Sequence, residues 1–556
     1  MLGIIYDEII ELLMRLLMND TFTYKDAIIV MIYLISVLSM AFYYSRGKSS
    51  STQDYFLAGK NMGWVAIGLS IFATNISSEH FIGLAGSGSV SGLAVGQFEL
   101  MAIFILIFLA WFLTPIFFKS GVYTVPELLE KRFDKTIAQW YSGFTIFMYI
   151  STKILVTLYA GGMLFYEMFH LNLYTSAVII VFITGLYSII GGSGAIIRTQ
   201  VLQSILLLIG AILLTIFGLD RVGWFSGLSE ALPSDYFSLF KPMSDPDFPW
   251  TGILFGAPIL AFWYWCADQY IVQKIFSAKS IEHARKGTLL AAVLKITPIF
   301  ILVLPGLIAA VLFPEVKGDK AYPTLLASDI LPVGIKGIVV VGLLSAIMSS
   351  LASTFNTAAT LFTFDFYKKK YPKESEEKLV LIGRLATTAI VLIAIIIVPI
   401  VKLFNTQIYL FIQSFQACVS PPITAVFLWG LIFKFVNTRA AMVSLIFGEL
   451  IGLFRLSLDG LVNSGIISGP FWLMIANVNF LHFSIFLFVL TSILILSISL
   501  ATTKENQIVP DNWYVLAVDN ANGSKISLGI KERLINSVFI TIFLFAVIIV
   551  VWGLWT

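Results

Sequence analysis

The chain has 556 residues, 58% of them hydrophobic, 14% aromatic and only 12% charged, with a mean hydropathy of +0.92. Soluble domains are roughly 25% charged, so this composition excludes an ordinary water-soluble enzyme and requires a surface that faces lipid. The 35 Lys and Arg against 32 Asp and Glu leave a net charge of +3, too small to point to nucleic acid.

A helix that crosses a bilayer needs about 20 apolar residues. In chain order about 14 stretches qualify, near 26–45, 62–88, 98–118, 138–167, 173–190, 198–218, 250–275, 286–313, 333–363, 379–401, 407–433, 438–455, 473–500 and 534–555. Residues 1–25, ahead of the first, lack a basic start and a small-residue cleavage site. They read as an interfacial amphipathic segment, not a removed signal.

Loop charge tests this count. Arg46, Lys48 and Lys60 follow the first stretch, Lys119, Lys131, Arg132 and Lys135 the third, and Arg198 the fifth. Lys274, Lys279, Arg285 and Lys286 follow the seventh, Lys368, Lys369, Lys370 and Lys373 the ninth. Lys434 and Arg439 follow the eleventh, and Lys504, Lys525, Lys531 and Arg533 the thirteenth. The intervening loops are neutral or acidic, as at Asp220, Glu230, Asp235, Asp245 and Asp247. Cytoplasmic loops carry the Lys and Arg excess, so every odd-to-even connection lies inside and both termini are extracytoplasmic. The largest loops, near 219–249 and 501–533, are too short for a catalytic module. No GxxxxGK[ST] loop is present, which argues against ATP-driven chemistry. The two cysteines, Cys266 and Cys418, sit in apolar runs and suggest no disulfide framework.

Polar residues inside apolar stretches are costly and mark a candidate pathway or site. The second stretch carries ATNISSEH from Ala73 to His80, then a glycine-rich run, a composition that no lipid-facing helix tolerates. Broken backbone at membrane depth is allowed only where protein or a water-filled cavity satisfies it. The third stretch opens with Gln97, Phe98 and Glu99; the seventh holds FWYWCADQY from Phe262 to Tyr270; the eighth holds Lys295; the eleventh holds Gln413 and Ser414 before Pro421 and Pro422. Each has a plainer reading: Lys295 snorkelling, Trp263 and Trp265 in an interfacial belt, His80 a buried hydrogen-bonded residue, the glycines of 83–96 helix packing. Glu79, Lys153 and Asp268 read as helix-to-helix polar contacts. What favours a site is that acid, amide, imidazole, ammonium and aromatic groups recur on several stretches. Together they suit a neutral polyhydroxylated ring, because hydroxyls donate and accept and a ring face stacks on an aromatic. Glu99 and Lys295 roughly cancel, so the substrate carries no net charge.

A second cluster, Ser349, Ser350, Ser353 and Thr357, lies on about one face of a helix. Such a face is commonly packing glue, yet hydroxyls with carbonyls freed at a broken helix also make a neutral oxygen cage for sodium.

Six or more segments in order resemble the sodium/solute symporter family, which includes the sodium/glucose cotransporters. They are DYFLAGK (54–60), ATNISSEHFIGLAGSG (73–88), PELLEKRF (126–133), WYWCADQYIVQK (263–274), AYPTL (321–325), SSLASTFNTAATLFTFDFY (349–367) and FIQSFQACVSPPITAVF (411–427), and the likeness covers about residues 25–500. The resemblance implies an all-α polytopic membrane protein with a LeuT-like core of two five-helix inverted repeats. Its parts are a segment over 1–25, an extra span over 26–45, repeat one over 62–218, repeat two over 250–433 and accessory spans over 438–556. It implies sodium-coupled import of a neutral sugar by alternating access, with the chain in the cell membrane. The sugar contacts implied are Asn75, His80, Glu99, Trp265, Lys295 and Gln413, with Phe98 beside Glu99 and with Tyr264 closing the inner side. The sodium ligands implied are carbonyls of Ala73, Ile76 and Ala346 and hydroxyls of Ser349 and Ser350. Two positions depart from the family: Ala261 stands where bacterial members have a sugar-binding Asn, and Gln200 where many have an Asp tied to a further cation. The second departure points to one coupled sodium.

The competing readings are an inositol or other small solute as substrate, and a sugar-gated sensor on the same fold. An embedded enzyme is disfavoured: no HExxH or GxSxG occurs, and His80, His170, His283 and His482 are scattered.

Overall fold

A computed structural model describes residues 22–45, 51–169, 172–399, 407–502 and 528–555. Most of the expected N-terminal segment, together with Arg46, Lys48, His170, Lys504 and Lys525, lies outside the described residues. Among the described residues every regular element is helical, with two isolated bridges, Met62 to Ala278 and Lys241 to Pro249.

In chain order the helices that matter here are α1 (Tyr24–Ser45), α2 (Trp64–Asn75), α3 (Ser78–Ser91), α4 (Gln97–Phe108), α5 (Lys135–Tyr166) and α6 (Leu173–Val222). They continue with α7 (Trp250–Ala267), α8 (Gln269–Phe276), α9 (Ile281–Leu312), α10 (Ile335–Lys370), α11 (Glu376–Ile397) and α12 (Ile408–Ile432). The last three are α13 (Thr438–Asn463), α14 (Phe480–Ala501) and α15 (Ser537–Leu554). Among the described residues 12 helical runs are long and apolar enough to cross a membrane. The expected count of about 14 returns when α6 is taken as two arms and α2 with α3 as one interrupted crossing.

Helix α6 shows why. Its 50 residues, at 1.5 Å each, would far exceed a bilayer if straight. Gly192 breaks it with φ 56° and ψ −170°, a conformation that side chains with a Cβ rarely adopt. Tyr187 on one arm donates to Met348 O at 2.9 Å, and Gln200 on the other donates to Ser349 O at 3.0 Å. Adjacent carbonyls of α10 are reached from positions 13 apart, so α6 is a hairpin. The sequence expects a loop over 191–197 with Arg198 just beyond it; the structure needs only the one glycine, and Arg198 is helical, its guanidinium donating to Gly194 O at 3.0 Å.

Two further boundaries differ from the expected ones. The stretch 473–500 divides into a short helix, Pro470–Ala476, and α14, which Asn479 caps by accepting from Leu481 N. Gly92, at φ 73°, separates α3 from the helix after it, and a Cβ there would land on the Tyr236 carbonyl.

In the core α9 packs closely on α3, and α10 packs chiefly along α6. A Cβ at Gly306 on α9 would fall on the carbonyl of Ala85 on α3, so small residues set this approach. Helix α10 is 94% buried over its most apolar window, so its serine and threonine face meets protein and not lipid.

Candidate functional site

Two interruptions shape the interior. At the first, helix α2 ends at Asn75, and Ile76 is extended (φ −74°, ψ 108°). Ser77 N, which a continuing helix would give to Ala73 O, donates instead to His80 Nδ1 at 3.4 Å. Ser77 and His80 thus form a capping box that starts α3. With Nδ1 accepting, the ring proton of neutral His80 sits on Nε2. At the second, a π turn over Trp263–Ala267 gives way to Asp268 (φ −74°, ψ 122°), whose carboxylate caps α8 by accepting from Tyr270 N at 3.0 Å. Asp268 also accepts from Tyr149 OH and, at 2.7 Å, from Lys153 Nζ. Lys153 and Asp268, each expected to make a helix-to-helix polar contact, thus make it with each other.

The first break leaves carbonyls without their helical partners, and hydroxyls of α10 and α8 meet them. Ser349 Oγ lies 2.7 Å from Ala73 O and 3.0 Å from Ala346 O. Tyr270 OH lies 2.7 Å from Thr74 O and 2.6 Å from Ser350 Oγ. Four of the five expected sodium ligands are thus gathered around one break, and Ile76 is the extended residue beside them, its carbonyl turned out of the helical pattern. Gln200 closes one flank: its Nε2 donates to Ser353 Oγ at 2.7 Å, Ser349 O at 3.0 Å and Thr74 Oγ1 at 3.1 Å, and its Oε1 accepts from Ser70 Oγ at 2.5 Å.

Beside this break lies a cavity, and all eight expected solute residues line it: Asn75, His80, Phe98, Glu99, Tyr264, Trp265, Lys295 and Gln413. Lys295 is 1% exposed, which excludes snorkelling; its Nζ pairs with Glu99 and donates to Asn75 Oδ1 at 2.7 Å. Asn75 Nδ2 in turn donates to Tyr264 OH at 3.1 Å. The ammonium also stands 5.4 Å from the Trp265 ring centroid, within cation–π range. Trp263 and Trp265 are buried, so neither belongs to an interfacial belt. His80 Nε2 lies 3.9 Å from Glu99 Oε1.

Aromatic rings close the two sides. Phe98 packs edge-on against Phe248 and Tyr409 and parallel to Phe480, with centroids 5.9–6.4 Å apart, at the end opposite the basic loops. Tyr264 and Tyr270 meet at 6.4 Å on the side where Tyr270 reaches Thr74 O and Ser350 Oγ.

The cavity also holds residues the sequence reading leaves out or assigns elsewhere: Tyr409, Gln416, Ala261 and Glu79. Tyr409 and Gln416 lie one helical turn before and after Gln413, so that spacing carried the signal. Ala261, noted only as a departure, is a cavity wall. Glu79, read as a helix-to-helix contact, faces the cavity.

Comparison with known proteins agrees with this architecture. The model of the "sodium:solute symporter family" matches residues 55–448. The pig (Sus scrofa) sodium/myo-inositol cotransporter 2 is 37% identical over 526 residues, 87% of this chain and 77% of that protein. The sheep (Ovis aries) sodium/glucose cotransporter 1 is 37% identical over 522 residues, 86% of this chain and 78% of that protein. A solved sodium-coupled sialic acid symporter in a substrate-bound outward-open state superposes with a TM-score of 0.75 at 21% identity, over 87% of this chain and 99% of that one, which establishes the LeuT-like fold. The chain therefore belongs to the sodium:solute symporter family, as a multi-pass membrane protein with sodium as its co-transported ion.

Proposed function

We propose that the chain imports a neutral polyhydroxylated solute, a hexose or an inositol, by coupling it to one sodium ion through alternating access. The observation that carries this reading is the Glu99–Lys295–Asn75–Tyr264 chain on the wall of a cavity that also offers the Trp265 face and the Gln413 amide. Glu99 and Lys295 are paired there, so this part of the wall supplies oriented donors and acceptors without a net charge of its own. That relatives are named for myo-inositol and for glucose supports the same solute class.

In this reading Asn75, His80, Glu99, Lys295 and Gln413 take hydroxyls, Trp265 takes the ring face, Phe98 belongs to the outer lid, and Tyr264 moves before inward release. Sodium is held by carbonyls of Ala73, Ile76 and Ala346 and hydroxyls of Ser349 and Ser350. The halves that rock are 62–218 and 250–433, with 26–45 and 438–556 as accessory spans. The chain lies in the cell membrane with both termini extracytoplasmic, so that its basic loops face the cytoplasm.

The deciding experiment is uptake of labelled hexoses, inositols and uncharged controls by proteoliposomes, with and without a sodium gradient. Accumulation of at least one polyol above its outside concentration, only with the gradient, is expected. Gln413→Ala should raise its half-saturation roughly 10- to 100-fold, because a solute hydroxyl loses its partner. Sodium-independent equilibration, or a Gln413→Ala variant with unchanged half-saturation, would overturn the assignment.

A further inference from the structure

Three carboxylates and two ammonium groups meet around the cavity. Lys295 is committed to Glu99, and Lys153 to Asp268 at 2.7 Å, with its ammonium also 3.5 Å from the centre of the Tyr270 ring. Glu79 is the odd acid. Its side chain is 16% exposed and lines the cavity, and it takes no part in the bonds that tie Glu99, Lys295 and Asn75 together. Its neighbour on the same helix, His80 Nδ1, is 3.6 Å from Glu79 Oε1, but that nitrogen already accepts from Ser77 N and has no proton to give.

The helix start also places amides beside this acid. Glu79 is the second residue of α3, a 14-residue helix that begins at the break, and the free amides of a helix start stabilise an anion. A carboxyl so placed, with no direct lysine ion pair among the described residues, offers acceptor oxygens to whatever enters the cavity.

We propose that Glu79 is a solute contact and a determinant of specificity, accepting hydrogen bonds from two adjacent donor groups of the substrate. The inference rests on the solute class proposed above and extends the contact set beyond the groups already tied to one another. It also makes a prediction that a neutral wall would not: replacing one of those hydroxyls by an ammonium turns a hydrogen bond into a charge-assisted one, so a cationic amino sugar gains affinity over its parent sugar.

The test compares wild type, Glu79→Gln and Glu79→Asp at equal amounts of purified, reconstituted protein and saturating sodium. The readouts are half-saturation and maximal rate for the labelled polyol, and competition by glucose and by 2-amino-2-deoxyglucose below the amine's own pKa. Glu79→Gln is expected to raise half-saturation roughly 10-fold while maximal rate and sodium dependence stay near wild type. The amino sugar should compete better than glucose in wild type and lose that advantage in Glu79→Gln, with Glu79→Asp retaining part of it. A Glu79→Gln variant with wild-type half-saturation, or with a lowered maximal rate alone, would show a purely structural acid at the helix start and overturn the contact. A wild type that accumulates no polyol overturns the proposed function itself; one that accumulates polyol with an indifferent Glu79→Gln leaves that function standing and removes only Glu79.

Discussion

Lys295 and Glu99 are the pair most exposed to misreading. Each looks in the sequence like a separate solute contact, and the structure makes them one unit, with Glu99 3% exposed. Removing one member of a buried pair strands the other, at a cost of about 3–5 kcal/mol, whereas removing both with similar shapes is far milder. Lys295→Ala should therefore lower the melting temperature of the purified protein more than the double variant Lys295→Met with Glu99→Gln does. Uptake should stay lost in both. Equal melting temperatures for the single and double variants would mean that the pair contributes nothing to stability and acts only on solute.

At the scale of elements, α12 is the helix whose start must answer to both the cavity and the outside. A short turn, Gly318–Lys320, pins it there: Asp319 Oδ2 accepts from Ile408 N at 2.9 Å, while Gly318 N donates to Ser89 Oγ on α3 at 3.0 Å. Asp319 Oδ1 is buried without a hydrogen-bond partner, and burial pushes this carboxyl up to about 7. An acid raised above its unfolded value stabilises the fold fully below that lower value and loses the contribution as pH climbs through the raised one. The melting temperature should accordingly fall between about pH 4 and pH 7, and Asp319→Asn should flatten that part of the profile. A parallel fall in wild type and variant would place the titrating group elsewhere.

Over the whole molecule, the proposed coupling depends on α10 touching the break between α2 and α3, because the proposed sodium ligands come from both sides and must be assembled together. Ser349→Ala removes the hydroxyl between Ala73 O and Ala346 O and should raise the sodium needed for half-maximal uptake about 10-fold, with solute affinity at saturating sodium nearly intact. In the proposed cycle Gln200 limits coupling to one ion. Its Nε2, with two N–H groups, already lies within hydrogen-bond distance of three oxygens from α2 and α10, which a further cation would need for itself. Uptake should follow sodium with a Hill coefficient of about 1, and Gln200→Asp should make the curve steeper. Sigmoidal dependence in wild type would refute the single-ion cycle.

Sequence alone determined the class, the approximate number of crossings and the residue types of the site, for a physical reason. Hydrocarbon tolerates so little polarity that Asn75, His80, Glu99, Lys295 and Gln413 stand out against their apolar surroundings. Pairing was not legible. Which ammonium each carboxylate holds depends on where helices far apart in the chain meet: Lys295 is 196 positions from Glu99, and Lys153 is 115 from Asp268. Only the tertiary structure showed that these pairs leave Glu79 over, that Ser349 of α10 and Tyr270 of α8 meet the carbonyls of Ala73 and Thr74, and that one glycine suffices to fold α6 back. Local pattern reports what a residue is and how costly its burial is; packing decides who bears that cost.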